Sequence, residues 1–283
     1  MRVSRLLVGV AFSLALLCSV TAHAETAKQA FVRGNTLLAQ GSFQEALQAY
    51  STAVRAQRTN QQYGQQFMLV RRVIALRESL DRERDPQRWL RTAQPLRSFY
   101  ISQGIYSEAL SVDEKIHARL NTASSAGQLA ETQLAMGRDA EASRVLSALA
   151  PEKATTVTQA LLAIALARQG QVGEARKIGE GIARSGSSDP GTLYVLARMQ
   201  AIVGNHSAAL GLLTRCFEAV PPSRLDGLKR HAKQNLELAA LASGDGFATA
   251  LRTESKIAES KCSGGSSCAG CPMRGKCAKS QGK

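Results

Sequence analysis

Small and apolar side chains recur at intervals of three or four residues along most of the chain, which is the spacing that places them on one face of an α-helix. No run of alternating β-branched residues indicates a strand, and proline is predicted only at helix starts and in loops. The pattern therefore predicts an all-α fold. It is clearest in the stretch Gly34-x2-Leu37-x3-Gly41-x-Phe43-x2-Ala46-x3-Tyr50-x2-Ala53.

A glycine followed five residues later by an alanine returns along the chain, at intervals of 33 or 34 residues from the second copy onward. Glycine adopts the left-handed backbone that commonly ends a helix, and alanine lets two helices approach closely where they cross. Each copy is therefore predicted to be a turn between two antiparallel helices. The pairs are Gly41 with Ala46, Gly104 with Ala109, Gly137 with Ala142, Gly170 with Ala175 and Gly204 with Ala209.

The order of small and large residues from Gly34 to Ala53, together with this period, resembles the helix–turn–helix unit of the tetratricopeptide (TPR) family. The resemblance implies a TPR-like solenoid of helical hairpins, wound as a right-handed superhelix. It also implies that the first helix of each pair lines a concave groove, in which members of the family typically bind peptides or protein segments.

The repeat is interrupted between Ala53 and Trp89, where no good copy of the pattern occurs. Residues 61–80 and 87–103 are each predicted to form one helix, which leaves an odd helix without a partner. A weaker copy surrounds Gly244, and residues 224–243 and 247–259 are predicted as a terminal helix pair.

The N-terminal segment 1–24 has the features of a secretory signal peptide. Arg2 and Arg5 precede an apolar stretch that is short for a bilayer span, and Ala22 and Ala24 form an A-x-A cleavage site. We therefore predict export to the periplasm or out of the cell, a repeat domain over residues 25–260, and no transmembrane span in the mature chain. An uncleaved anchor and a lipoprotein acylated at Cys18 are the alternatives.

The mature chain stays strongly basic, because the signal peptide removes only two arginines from a net charge of +14. Such a charge attracts anionic partners, including acidic proteins and the anionic polymers of a cell envelope. Nucleic acid is the least favoured partner, because the predicted compartment holds little of it. The arginines between residues 71 and 97 alternate with acidic residues, which is typical of an exposed helix face with i to i+4 ion pairs.

The predicted ligand site consists of the positions that match the inward-facing residues of TPR first helices. These positions are polar with a basic bias, which favours an extended acidic or carboxylate-bearing peptide held by arginines, with Phe31 and Tyr194 as aromatic anchors. The ten residues are Lys28, Phe31, Asn35, Arg91, Gln94, Ser98, Glu131, Arg168, Tyr194 and Arg198.

Catalytic motifs are not found in the sequence. It has no G-x-S-x-G, H-E-x-x-H or phosphate-binding glycine loop, and His117, His206 and His231 fall in separate repeats as surface or packing residues. We therefore predict that the protein is not an enzyme. Cys216 occupies a small helix-crossing position and is predicted to be a buried small hydrophobic residue.

Residues 261–283 form a separate tail of glycine, serine, lysine and four cysteines, without an acidic residue. Either the cysteines form disulfides, as in many exported proteins, or their thiolates hold zinc or, with Met273 nearby, copper(I). Residues 268–277 also resemble the C-x2-C-x5-C run of auxiliary iron–sulfur domains, a third and less favoured interpretation. The four residues are Cys262, Cys268, Cys271 and Cys277.

The favoured hypothesis is an exported TPR scaffold or adaptor that binds a protein or peptide segment in its groove, with the tail as an accessory disulfide knot or metal site. Two alternatives remain open. In one, the cysteine tail is the active part of a metal-handling or thiol-redox protein. In the other, the chain is a basic structural protein of the cell envelope.

Overall fold

The helices follow the predicted repeat. A computed structural model of the chain describes residues 25–182 and 188–258, and within these ranges it contains α-helices, two short 3₁₀ helices and no strand. The prediction of an all-α, TPR-like helical repeat is therefore confirmed. The predicted signal peptide and the four tail cysteines lie outside the described residues.

Most of the helices form hairpins of a first and a second helix. Two 3₁₀ helices, Pro151–Lys153 and Leu236–Leu241, accompany them; we call the second one the C-terminal 3₁₀ helix. The α-helices are α1 (Ala27–Ala39), α2 (Phe43–Ala56), α3 (Gln61–Arg82), α4 (Pro86–Ser102), α5 (Tyr106–Leu120), α6 (Ala123–Ala135), α7 (Asp139–Ser147), α8 (Thr156–Arg168), α9 (Val172–Ile182), α10 (Pro190–Ile202), α11 (His206–Glu218), α12 (Pro222–Gln234) and α13 (Asp245–Arg252).

The chain divides within α3 into two compact units, of which unit 1 ends at Glu78 and unit 2 begins at Ser79. In unit 1, α1 and α2 form a hairpin that crosses closely at Gly34. A Cβ atom on Gly34 would lie 2.7 Å from the ring of Tyr50, so a larger residue there would displace the ring. The crossing role predicted for Gly34 is confirmed.

The five predicted turn glycines all adopt the left-handed conformation. Their φ angles lie between +70° and +88°, whereas Gly244 has a φ of −109° and precedes α13 as its N-cap. Around Gly204 no atom lies within 4 Å of where a Cβ would stand, so its backbone conformation alone requires glycine. The turn prediction is confirmed for the five glycines, and Gly244 does not form a turn of this type.

Each first helix of unit 2 starts at a residue whose side chain caps it. Asp85, Thr122, Thr155 and Asp189 each accept a hydrogen bond from the backbone N–H three residues later, at 2.7–3.2 Å. Asp and Thr are preferred at this position because their oxygen satisfies an N–H that has no partner within the helix. These caps set where α4, α6, α8 and α10 begin.

Unit 2 stacks four hairpins, α4–α5, α6–α7, α8–α9 and α10–α11, with α8 packed between α6 and α10. We call the surface of the first helices that faces away from the second helices the inner face. Residues 163–167 of α8 and 193–201 of α10 are buried without interruption, and these runs include all sides of the helix. A helix that is apolar on all sides is covered on all sides, so the inner face is not open along its full length.

The C-terminal end differs from the predicted helix pair. The predicted helix 224–243 is wrong, because α12 ends at Gln234 and Asn235 takes an extended conformation. The Asn235 side chain then caps the C-terminal 3₁₀ helix by accepting from the Glu237 backbone N–H at 3.1 Å. The 3₁₀ helix packs against α10, and Leu238 and Leu241 belong to the cluster of buried apolar residues there.

Two other helix predictions agree with the structure, and one statement about proline does not. The predicted helices 61–80 and 87–103 correspond to α3 and α4. Proline, however, is not confined to helix starts and loops, because Pro95 lies inside α4. Pro95 is exposed, so water can bind the backbone carbonyl that its missing N–H leaves without a partner.

Cys216 is fully buried, as predicted, and its Sγ lies 3.2 Å from the carbonyl oxygen of Pro190. Burial raises the pKa of the Cys216 thiol to about 12. Over residues 25–182 and 188–258, every helix is too short or too polar to span a bilayer.

We predict opposite effects for two glycine substitutions in the last hairpin. Gly204→Ala forces a Cβ into the left-handed conformation and is expected to lower the free energy of unfolding by about 1–2 kcal/mol. Gly211→Ala, within α11 and with open space around it, is expected to raise that energy by about 0.5–1 kcal/mol. Urea unfolding followed by circular dichroism measures both, and equal effects would contradict the turn assignment.

Candidate binding groove

The predicted ligand positions fall in both units, and two of the three in unit 1 contact other residues of that unit. Phe31 is buried, with its ring centroid 4.6 Å from that of Tyr63 and 5.6 Å from that of Tyr50. Asn35 is exposed, but its Oδ1 accepts from the Tyr50 hydroxyl at 2.7 Å. Lys28 is exposed. Phe31 is therefore a core residue and does not provide the free aromatic anchor that was predicted.

Three predicted ligand residues of unit 2 lie beneath the C-terminal segment. Tyr194 is 7% exposed and Arg198 is 5% exposed, while Arg168 is half-buried. They contact α12 and the C-terminal 3₁₀ helix through His231 and Glu237. The prediction that they line an open groove is wrong, because this segment folds back over the inner face of α10.

Glu237 forms ion pairs with both Arg168 and Arg198. Arg168 Nη1 donates to its Oε1 at 3.2 Å, and Arg198 Nε donates to its Oε2 at 3.4 Å. Arg198 Nη1 also donates to Glu131 Oε1 at 2.7 Å, and Arg168 Nε lies 3.1 Å from Asp139 Oδ1. Three carboxylates thus surround two arginines, and the group carries one net negative charge when all five are ionised.

A tyrosine–histidine pair lies beside this group. The Tyr194 hydroxyl and His231 Nδ1 are 2.7 Å apart. Burial raises the pKa of Tyr194, so its hydroxyl keeps its proton. Burial and the charge of Arg198 lower the pKa of His231, which favours the neutral ring. The tautomer of the neutral ring sets which of the two groups donates, and in either tautomer the ring adds no charge near neutral pH.

The open part of the inner face is a groove of about 630 Å³ between α4, α6 and the start of α8, which we call the inner groove. Its volume is within the range of small-molecule and peptide side-chain pockets. Its walls are mostly apolar or hydroxyl-bearing, with one arginine, one glutamate and one histidine. They are formed by Arg97, Ile101, Tyr106, Ala123, Ser124, Gly127, Gln128, Glu131, Thr132, Ala135, Thr155, Val157, Thr158, Leu161 and His231.

Arg97 reaches the inner groove as part of a buried pair. Its Nε lies 2.5 Å from Asp113 Oδ1, and Thr132 donates to Asp113 Oδ2 at 2.6 Å. Burial raises the pKa of Asp113, while the hydrogen bonds from Thr132 and Arg97 oppose that shift. The i to i+4 pairing predicted for the arginines of residues 71–97 is wrong for Arg97, because its partner lies on α5.

The remaining predicted residues of α4 and α6 stay accessible. Gln94 is partly exposed and its Nε2 donates to Gln128 Oε1 at 3.3 Å, so two successive first helices present carboxamides side by side. Arg91 and Ser98 are exposed on α4 but do not line the inner groove. Among the ten predicted positions, only Glu131 is also a wall residue of the inner groove.

His231 and Glu237 were missed as residues of this surface, although the sequence carries a signal for them. The segments of α8 and α10 lack a polar face, which indicates that something covers their inner sides. The covering element itself could not be identified, because residues 224–243 read as one straight helix. Among the described residues, no group of three or more His, Cys, Asp or Glu is arranged to hold a metal ion.

No protein-family model matches the sequence, and no curated protein matches it. Among solved structures, the chain is similar to the crystal structure of YrrB, described as a TPR protein with an unusual peptide-binding site. The sequence identity is 17%, the TM-score is 0.31, and the likeness covers 75% of this chain and 94% of that chain.

We predict that Glu237→Ala strongly destabilises unit 2. The change removes the carboxylate that forms ion pairs with both Arg168 and Arg198, and breaking a buried ion pair typically costs about 3–5 kcal/mol. The matched control is Glu141→Ala, which removes the exposed pair with Arg138 and is expected to cost less than about 1 kcal/mol. Urea unfolding measures both changes, and similar losses would contradict a structural role for Glu237.

Proposed function

We propose that unit 2 is a binding scaffold whose inner groove holds an extended segment of a partner protein or a peptide. The observation that carries this proposal is the groove itself, about 630 Å³ in volume and lined by three successive first helices. Its chemistry fits a polypeptide, because apolar walls accept side chains and a few fixed polar groups orient the backbone.

The carboxamides of Gln94 and Gln128 are suited to a peptide backbone. Each carboxamide both donates and accepts hydrogen bonds, as does each peptide unit of an extended chain. Gln128 lies in the wall of the inner groove, and Gln94 on the neighbouring first helix donates to it at 3.3 Å, so a bound segment can exchange that bond for bonds of its own. Val157 and Leu161 of α8 supply apolar surface in the same groove.

The acidic ligand predicted from the sequence loses its main support. That prediction depends on arginines that are free to hold a carboxylate. Arg168 and Arg198 are instead paired with Asp139, Glu131 and Glu237. We therefore propose an extended segment as the ligand and do not require that it be acidic.

We also propose, from the sequence alone, that the scaffold is exported and that its tail cysteines form disulfides or a metal site. Cleavage after Ala24 is compatible with the start of α1, since the mature chain keeps the Thr26 cap and the ion pair between Glu25 and Arg33 at 2.8 Å. The tail of four cysteines then lies in a compartment that favours oxidised thiols.

A groove-blocking substitution tests the binding function. A random library of extended 12-residue peptides is panned on the mature protein, and the affinities of selected peptides are measured by fluorescence anisotropy. Ser124→Trp places a large ring in the inner groove from an exposed position on α6 and is expected to weaken binding at least about tenfold.

The matched control is Ala140→Trp, an exposed position on α7 outside the inner groove, which is expected to leave the affinities unchanged. Peptides that bind both variants as tightly as the wild type would show that they occupy another surface. A library that yields no binder would contradict the proposed function.

Mass spectrometry of the purified protein tests the two ends of the chain. We expect the mature chain to begin at Glu25 and its four tail cysteines to resist alkylation before reduction or chelation. Each disulfide lowers the mass by about two hydrogens, whereas a bound metal ion raises it by tens of mass units. An intact N-terminus contradicts cleavage, and four freely alkylated tail cysteines contradict both tail interpretations.

A further inference from the structure

Glu131 presents an unused carboxylate oxygen at the wall of the inner groove. Its Oε1 accepts from Arg198 Nη1 at 2.7 Å, and among the described residues its Oε2 has no hydrogen-bond partner. The Glu131 side chain is 39% exposed, although Arg198 beneath it is buried. The position of Oε1 is therefore fixed by a buried partner, while Oε2 remains available to a ligand in the groove.

The positive charges around the inner groove are already compensated. Arg97 is paired with Asp113, and its Nη2 donates to the Gln128 backbone carbonyl at 3.3 Å. Arg168 and Arg198 are shared among three carboxylates, which leaves one negative charge in excess. Of these three carboxylates, only that of Glu131 lies in the wall of the groove.

The histidine in the wall of the groove does not cancel this charge near neutral pH. His231 is held at Nδ1 by the Tyr194 hydroxyl at 2.7 Å. Burial and the neighbouring Arg198 lower the pKa of His231, so the ring is favoured in its neutral form. The groove thus has a negative local potential at Glu131 within a chain whose net charge is +14.

We propose that the inner groove binds a lysine or arginine side chain of the bound segment at Glu131 Oε2. This inference rests on the proposed function, since it names the residue type that an extended ligand places in that groove. A cation beside Glu131 gains a charge-assisted hydrogen bond, and it restores the charge balance of the buried group. The groove thus recognises a basic residue of the ligand, whereas the sequence predicted an acidic ligand.

The experiment compares peptides that differ in one charge. Peptides selected from the 12-residue library on the mature wild-type protein are expected to share a lysine or arginine at one position. Acetylating that lysine is expected to weaken binding about 10- to 100-fold, as for the loss of a hydrogen bond to a charged group. With Glu131→Gln, the acetylated and free peptides are expected to bind equally.

Two further variants keep the test decisive if Glu131→Gln unfolds, because Arg198 depends on Glu131. Gln128→Lys places an internal cation one helical turn from Glu131 and is expected to abolish the preference for the basic peptide. Glu141→Gln removes a carboxylate from the exposed pair on α7 and is expected to preserve the preference. Circular dichroism confirms that each variant is folded.

Three results would overturn the proposal. They are selected peptides without a common basic position, a preference for the free lysine that survives in Glu131→Gln or Gln128→Lys, and a loss of binding on acetylation of the peptide N-terminus instead of the lysine. In each case peptides that still bind the wild type but not Ser124→Trp leave the proposed function standing. If no peptide binds the groove at all, that result contradicts the proposed function itself.

Discussion

The position of the C-terminal segment in unit 2 depends on one buried carboxylate, that of Glu237, which lies between Arg168 and Arg198. Arg198 is buried, and a buried guanidinium group is stable only when carboxylates and hydrogen bonds replace the water it has lost. Glu237 reaches it because the chain breaks at Asn235 and turns into the C-terminal 3₁₀ helix. Leu238 and Leu241 then hold that helix in the core against α10.

This arrangement divides the inner face of unit 2 into two regions with different roles. Along α10 and the adjoining part of α8, the inward-facing residues serve the fold, since they bind Glu237 and His231. Around α4, α6 and the start of α8 the surface remains open as the inner groove. A repeat protein can use equivalent positions of successive units in both ways, because each unit packs mainly against its neighbours and its free face can be covered locally. Recognition is therefore expected at α4 and α6.

The charge of the groove illustrates why local pairing matters more than net charge at short range. The chain is strongly basic, but at physiological salt exposed charges farther away than about 8 Å are largely screened. The carboxylate of Glu131 lies in the wall that a ligand in the inner groove contacts. The nearest arginines already form ion pairs with Asp113, Asp139 and Glu237. The overall positive charge remains available for attracting anionic partners to other surfaces. A chain with a strongly positive net charge can thus still bind a positively charged ligand residue.

The features that depend on neighbouring residues could be predicted from the amino-acid pattern alone. Backbone conformation and side-chain size act over short distances along the chain. They account for the turn glycines, the helix crossing at Gly34, the burial of Cys216 and the positions of α3 and α4. Which inward-facing residues are free depends on contacts that form only when distant parts of the chain come together. Glu237 lies 69 residues from Arg168 and 39 from Arg198, and periodicity carries no information about a contact between elements so far apart. The break at Asn235 brings them together, because burying Leu238 and Leu241 against α10 outweighs the helical propensity of the segment.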